Sequence, residues 1–364
     1  MTRFQTLSAA AAALALALAA SGCAAQETIV EPNTTVTAST PPVSREPVPS
    51  PPADPVPAAA VALTGLDAAG ATDDNLKRPV LSVKIENTSA ARPQTNLDKA
   101  DIVFEEEVEY GISRLIAVYQ SQYPADVGPI RSLRPMDRNV MSQFGGPIIF
   151  SGAQKRFIAA AQKSGLTTIA QDVGSYGFFR THDRAAPHNL HGKLSEFRKQ
   201  AKGATEPKQP WTFAYPADGA TAQQEGTAVS TLDIYLSPYA HPIWKWSATK
   251  NLWMRYEYKT PHTVVGGTQL SATNIVILEV TVRYTSATSV GMSVPETLVA
   301  GKSGKGYVVT GDKAVDITWS KKGQYDPFVF LTKAGDPVVF APGQTWVEMV
   351  PVKGNKFIGK ITIS

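Results

Sequence analysis

Only one of the 364 residues is a cysteine, Cys23, and that scarcity closes several routes at once. No disulfide can form within the chain, and no set of thiolates can hold zinc. No internal repeat is present. Ser132 and Ser151 lack the G-x-S-x-G setting that exposes a hydrolase nucleophile. Gly301-Lys302-Ser303 carries the GKS of a phosphate-binding loop, but Glu296 stands where that loop needs its first glycine. A hairpin turn is expected there instead. His182, His188 and His191 lack both the helical i, i+4 spacing and the cysteine partners of a zinc site, so neither metal nor cofactor is expected.

What is present begins with Arg3, an uncharged run from Phe4 to Ala20, and the small residues Ala20-Ser21-Gly22 before Cys23. That is the charged start, apolar middle and small-residue end of a secretory signal over residues 1–22. A membrane span needs about 20 apolar residues and flanking anchors, which this alanine-rich run lacks. The segment resembles a bacterial lipoprotein signal, although Ala20 occupies the position where such signals usually carry Leu. The resemblance implies that Cys23 is acylated, with palmitate among its chains, and tethers the protein to the outer face of the cytoplasmic membrane, or to an outer membrane if the host has one. No thiol then remains for chemistry.

Residues 24–75 hold nine prolines among Thr, Ser, Ala and Val. So few large apolar side chains cannot offset the entropy of ordering, so residues 23–75 read as a lipidated, disordered tether. Where extended at about 3.1 Å per residue, such a tether reaches roughly 100 Å. The charge is uneven as well. Two basic and seven acidic residues lie in 1–75, leaving 33 basic against 24 acidic in 76–364, near +9. Outside a cell the polyanions are phospholipid, phosphate-bearing wall polymer and lipid-linked sugar phosphate, and no nucleic-acid partner is expected.

Alternating apolar runs at Pro79–Ile85, Ile102–Tyr110, Leu115–Gln120 and Gly146–Ser151 read as strands, and Arg156–Ser164 as a helix stopped by Gly165. These predict a mixed α/β domain over 76–222. Gly203–Gly226, rich in Gly, Ala, Pro and Gln, reads as a boundary. From 227 to 364 short strands follow one another, which predicts a β-rich domain and an α+β class for the whole.

Three groups of residues could carry chemistry. In Gly128-Pro129-Ile130-Arg131-Ser132-Leu133-Arg134-Pro135 two prolines constrain the backbone around Arg131 and Arg134. Such arginines suit bidentate capture of carboxylate or phosphate, or they pair with the acidic run Glu105-Glu106-Glu107-Val108-Glu109. In that run Glu105, Glu107 and Glu109 share one strand face, and Lys84, Arg114, Arg131 and Arg134 are the nearby counterions. The carboxylates suit structural ion pairing, acid–base work or a hard cation, although their spacing matches no metal loop. The third group, Tyr176 to Leu190, mixes Arg180, Arg184, His188 and Asn189 in a segment too broken for regular structure. It reads either as a functional loop or as a packed loop satisfying its own carbonyls.

The ordered motifs Arg92-Pro93-Gln94-Thr95, Leu97-Asp98-Lys99-Ala100-Asp101, Gly128-Pro129-Ile130-Arg131-Ser132, Ser151-Gly152 and Ala186-Pro187-His188-Asn189-Leu190 resemble the YerB-like bacterial lipoproteins. Trp253-Met254-Arg255-Tyr256, Pro261-His262 and Pro342-Gly343-Gln344-Thr345-Trp346-Val347 are similar to that family's C-terminal domain. The resemblance spans residues 77–352 and implies two domains of unknown function, with no activity attached. Thr181-His182 departs from the Asp-Ser expected before Asp183. The expectation is therefore a lipid-anchored envelope protein that binds an anionic ligand through Arg131, Arg134, Arg180, Arg184, His188 and Asn189. Arg255 and His262 would contribute from the second half. The alternatives are an envelope hydrolase or transferase using Glu105 or Glu109 with His188, and a protein-recruiting scaffold.

Overall fold

Leu81, Val83 and Ile85 enter one core while Lys84 turns to the opposite side, the alternation that a half-apolar strand requires. The computed structural model describes residues 56–289, 291–354 and 356–364. The first half supplies β1 (Leu81–Glu86), β2 (Ile102–Glu107), β3 (Ser113–Tyr119), β4 (Ile148–Phe150) and β5 (Thr168–Ala170). The second half gives β6 (Pro242–Ser247) and β7 (Leu252–Glu257) to a smaller sheet. It also gives β8 (Asn274–Ser289), β9 (Lys302–Thr310), β10 (Lys313–Lys321), β11 (Val329–Leu331) and β12 (Thr345–Lys353) to the larger one.

Strand order in the larger sheet is β11-β10-β9-β8-β12-β2-β3-β1-β4-β5, with Met292–Leu298 pairing β8 and Thr227–Ala228 pairing β10 outside that path. Its centre joins the two halves: β2 runs parallel to β12, in register from Ile102 opposite Thr345 to Glu105 opposite Glu348. The smaller six-stranded sheet lays Leu232, Trp244 and Trp253 over the face carrying Val83, Leu115 and Ile275. The opposite face, with Phe104, Ile116 and Phe150, packs against Met141, Phe144, Trp211 and Phe328. Burial on both faces explains why β2 has no exposed position despite its three glutamates. Each carboxylate there needs an internal counterion.

The described residues are mostly strand with few helices, and both halves contribute strands to the larger sheet instead of forming an α/β layer and a separate β layer. The helix expected at Arg156–Ser164 spans Lys155–Lys163 and buries Ile158 and Ala161. It ends on Gly165 at φ 81°, whose N–H donates to Gln162 O at 2.9 Å. The Gly301 segment turns straight into β9 with no helix behind it, which removes the phosphate-loop reading.

Composition overstated the tether. Leu63 is fully buried in the larger core, Ala60 bridges Asp67, and Asp73–Lys77 is a helix capped by Thr72. The short apolar run Val61-Ala62-Leu63 anchors this stretch, a signal masked by the neighbouring prolines and alanines. The Gly203–Gly226 segment likewise carries Trp211 and Phe213 into the core, where Trp211 stacks on Phe340 at 5.0 Å. Cys23 and the signal segment lie outside the described residues. Among the described residues no helix is long and apolar enough to cross a membrane.

Candidate functional site

The Gly128–Pro135 segment runs past the end of β1. Glu86 N donates to Pro129 O at 2.9 Å and Arg131 N to Lys84 O at 2.8 Å. Ile130 N in turn donates to Leu190 O at 2.6 Å, so the arginine turn lies between β1 and the histidine loop. Gly128 is required by a close approach: a Cβ there would lie 2.7 Å from the His191 ring. Backbone pairing thus brings two of the three sequence groups together.

They meet at Glu86. Its Oε1 lies 2.9 Å from His188 Nδ1 and accepts from Thr88 Oγ1 at 2.8 Å, while Oε2 lies 3.3 Å from Arg131 Nε. A carboxylate beside Nδ1 fixes the proton there and leaves Nε2 as the acceptor of the ring. The side chains of His188 and Arg131 are 29% and 23% exposed, whereas that of Glu86 is 2% exposed. The site therefore has a buried carboxylate behind a partly exposed imidazole and a partly exposed guanidinium.

Arg134 donates from Nε and Nη2 to Glu109 Oε2 at 2.9 and 2.8 Å. Arg114 lies between this pair and Glu86. It is 94% buried by its 6% exposure, and its contacts are long: Nη1 to Ser132 O at 3.4 Å and to Glu109 Oε2 at 4.0 Å. Arg114 Nε has no hydrogen-bond partner among the described residues. Burial first, then the charges of Arg134 and Arg131, pushes its guanidinium down to about 9, against the pull of Glu109 and Glu86. Arg114, Arg131 and Arg134 thus outnumber Glu86 and Glu109 by one charge. Next to them Lys84 pairs with Glu106 and, at 2.7 Å, with Asp137. Burial and the Asp137 charge hold Glu106 well above the usual carboxylate range. A cavity of about 200 Å³ opens beside Glu109, Ser132 and Arg134.

Arg180, Arg184 and Asn189 shape the loop. Asn189 accepts from Arg180 Nη1 at 2.8 Å and donates to Thr181 O and Arg184 O at 2.8 and 3.0 Å. Arg184 donates to Ala91 O and Pro93 O at 2.6 and 3.2 Å, which ties the loop to the segment after β1. Asn189 is a packed internal residue rather than an open contact.

Arg255 and His262 sit elsewhere, both buried. Arg255 is fully buried between the rings of Trp346 and Trp244, whose centroids lie 4.8 and 5.4 Å away. Its guanidinium reaches Glu105 at 2.6 Å, Glu348 at 3.1 Å and Glu257 at 3.2 Å. Arg255 Nε donates to His262 Nδ1 at 3.0 Å, so His262 Nε2 carries the proton and donates to Gln94 Oε1 at 2.8 Å. Burial, then the Arg255 charge, holds His262 well below its usual range and therefore neutral. Arg255 is enclosed by its carboxylate partners, while His262, also buried, lies at the floor of a cleft beside Arg92 and Glu257.

The acid–base pairing expected from sequence is corrected. The carboxylate partner of His188 is Glu86, whereas Glu105 is committed to Arg255 and Glu109 to Arg134. Sequence reasoning missed Glu86 as a site residue. Its signal was the period of β1, which sets Lys84 and Glu86 on one face.

These features define a protein built on two main sheets, whose arginine and histidine loops converge on one buried carboxylate. Residues 63–207 match the N-terminal domain of the protein of unknown function family DUF3048, and residues 232–347 match its C-terminal domain. The chain belongs to that family. It is 25% identical over 283 residues to the putative lipoprotein YerB of Bacillus subtilis, covering 76% of this chain and 82% of that one. The crystal structure of the Bacillus subtilis YerB protein shares the fold, with a TM-score of 0.69 at 22% identity over 84% of this chain and 99% of that one.

Proposed function

We propose that the protein is an exported, lipid-anchored envelope protein that binds an anionic group of the cell envelope at the Glu86–Arg131–His188 site. The observation that carries this reading is Arg114, a buried guanidinium whose Nε has no hydrogen-bond partner among the described residues and whose nearest carboxylate contact, to Glu109, is 4.0 Å long. Burying unbalanced charge is costly, and an incoming phosphate or carboxylate would relieve that cost. Arg131 and His188, both partly exposed, are the groups placed to meet it. The anchor rests on Ala20-Ser21-Gly22-Cys23 and on the name of the relative. Mass spectrometry of membrane-extracted protein should find a diacylglyceryl group on Cys23, and an unmodified, freely soluble product would refute the anchor.

Calorimetric titration with pyrophosphate and with poly(glycerol phosphate) tests the site. Binding should weaken with salt and fall about tenfold or more in Arg131→Ala, which removes one charge-assisted contact. No binding of either anion by the unaltered protein would sink the reading. A second reading, hydrolysis, is favoured by the His188–Glu86 pair alone: Nε2 takes a proton from water as its oxygen attacks an ester, then returns it to the departing alkoxide as the ester C–O or P–O bond breaks, releasing acid and alcohol. Turnover of a phosphodiester or carboxylic ester that disappears in His188→Gln would establish it.

A further inference from the structure

A second cleft, of about 340 Å³, opens where the first half meets β7, lined by Ser89, Arg92, Glu257, Tyr258, Thr260 and Thr263. Its charge is balanced. Glu257, 6% exposed, faces Arg92, and His262 at the cleft's floor is neutral because both ring nitrogens are engaged. Arg92 Nη1 lies 3.1 Å from Glu257 Oε2, yet this buried atom has no aligned hydrogen-bond partner among the described residues. The Arg92 side chain as a whole is 23% exposed, whereas the nearly buried Glu257 already accepts from His241 N at 3.0 Å and Arg255 Nη2 at 3.2 Å.

Tyr258 stands at the rim. It begins the two-residue turn between β7 and Thr260–Pro261, at φ 55°, in the left-handed region where Gly, Asn or Asp is normally chosen. Its hydroxyl donates to Pro238 O at 2.6 Å, its ring meets His241 edge-on at 5.6 Å, and 38% of the residue stays exposed. The contacts with Pro238 and His241 hold an aromatic side chain in a strained turn position and leave part of it exposed at the rim of the cleft. The ring is well placed for a ligand lying over the cleft.

We infer that this cleft is a carbohydrate-binding subsite. A sugar presents a C–H face, which suits the Tyr258 ring, and neighbouring hydroxyls, which can accept from the exposed part of the Arg92 guanidinium. Ser89, Thr260 and Thr263 add hydroxyl partners, and the balanced charge favours a neutral group over an ion. Because Arg184 bonds the carbonyls on either side of Arg92, the cleft and the anion site share one segment. A phosphate-bearing glycan would engage both. That joint ligand rests on the anion reading above, whereas the sugar cleft stands without it.

The test titrates the full chain with tetra-N-acetylglucosamine and maltotetraose, using pyrophosphate as a separate anion probe. At least one neutral oligosaccharide should bind the unaltered protein. Tyr258→Gly, whose backbone accepts the turn, should weaken sugar binding about tenfold or more, leave pyrophosphate binding unchanged, and keep or raise the melting temperature. Tyr258→Phe retains the ring and should retain sugar binding despite losing the bond to Pro238. The inference is overturned if neither oligosaccharide binds at roughly 10 mM, the weak limit of a specific site. It is equally overturned if Tyr258→Gly binds sugar normally, which would make the ring a structural prop. Loss of pyrophosphate binding with sugar binding intact would count against the anion reading and leave the cleft standing.

Discussion

Arg255 Nη2 lies 2.6 Å from Glu105 Oε2, so a guanidinium from β7 of the smaller sheet closes on a carboxylate from the central strand of the larger one. The pair comes from opposite halves of the chain. It explains how β2 can carry glutamate into a position with no solvent: the charge is answered across the layer rather than along the strand. Burial opposes the Arg255 charge, but Glu105, Glu348 and Glu257 outweigh it and hold that guanidinium above its usual range.

Removing that cation should be severe. Arg255→Met leaves the buried Glu105 and Glu348 without their counterion, and Glu257 with Arg92 alone, and should cost about 3–5 kcal/mol, read as a shift of the urea midpoint. Adding Glu105→Gln and Glu348→Gln to the same chain should recover part of that loss. If the triple variant is no more stable than the single one, unpaired charge is not the cause.

The same cage makes stability depend on pH. Burial first, then the Glu105 charge, raises Glu348 well above the ordinary carboxylate value near 4.5. A raised folded-state value stabilises fully below the unfolded one, and the contribution fades as pH rises through the folded one. Stability should therefore fall with rising pH above about 4.5, the unfolded value, as far as this acid is concerned. Glu348→Gln, which keeps a neutral group there, should flatten that part of the profile in urea melts from acid to neutral pH.

Arg114 is expected to trade stability for binding. Its depressed guanidinium marks a charge that the unliganded fold holds at a cost. Arg114→Met should unfold at a higher temperature than the parent while binding pyrophosphate at least about tenfold more weakly. A variant that binds normally would show that the excess charge serves no ligand.

Asn189 should act locally. Asn189→Ala frees Thr181 O, Arg184 O and Arg180 Nη1 and should cost about 1–2 kcal/mol. Faster amide exchange should be confined to residues near the 181–189 loop. Uniform exchange across β1–β3 would mean that the loop is part of the folding core.

The start of the folded body can be checked by truncation. A chain beginning at residue 76 loses Leu63 from the core and should be less stable than one beginning at residue 56. Leu63→Ala alone should cost about 2–5 kcal/mol in urea unfolding. Equal stability of the two truncated chains would restore the longer tether.

Much of this was legible in local pattern. The period of two in Leu81–Glu86 and Ile102–Glu107, and the glycine stop at Gly165, are short-range signals that survive in the fold. The grouping of Arg131 with His188 was anticipated from motif chemistry, although the acid between them was not. Glu86 escaped because one carboxylate at a strand end looks like any other until backbone pairing brings Pro129 and Leu190 beside it.

The sequence by itself determined the strand-rich character, the single thiol and its signal-like setting, the basic surplus after residue 75, and the residue types for ion pairing. Tertiary structure alone decided which charges meet. Counterions in a sheet buried on both faces are chosen by register and layer packing, as Glu105 opposite Glu348 and beneath Arg255 shows. Those contacts span more than a hundred residues of chain, a distance over which no periodicity carries information.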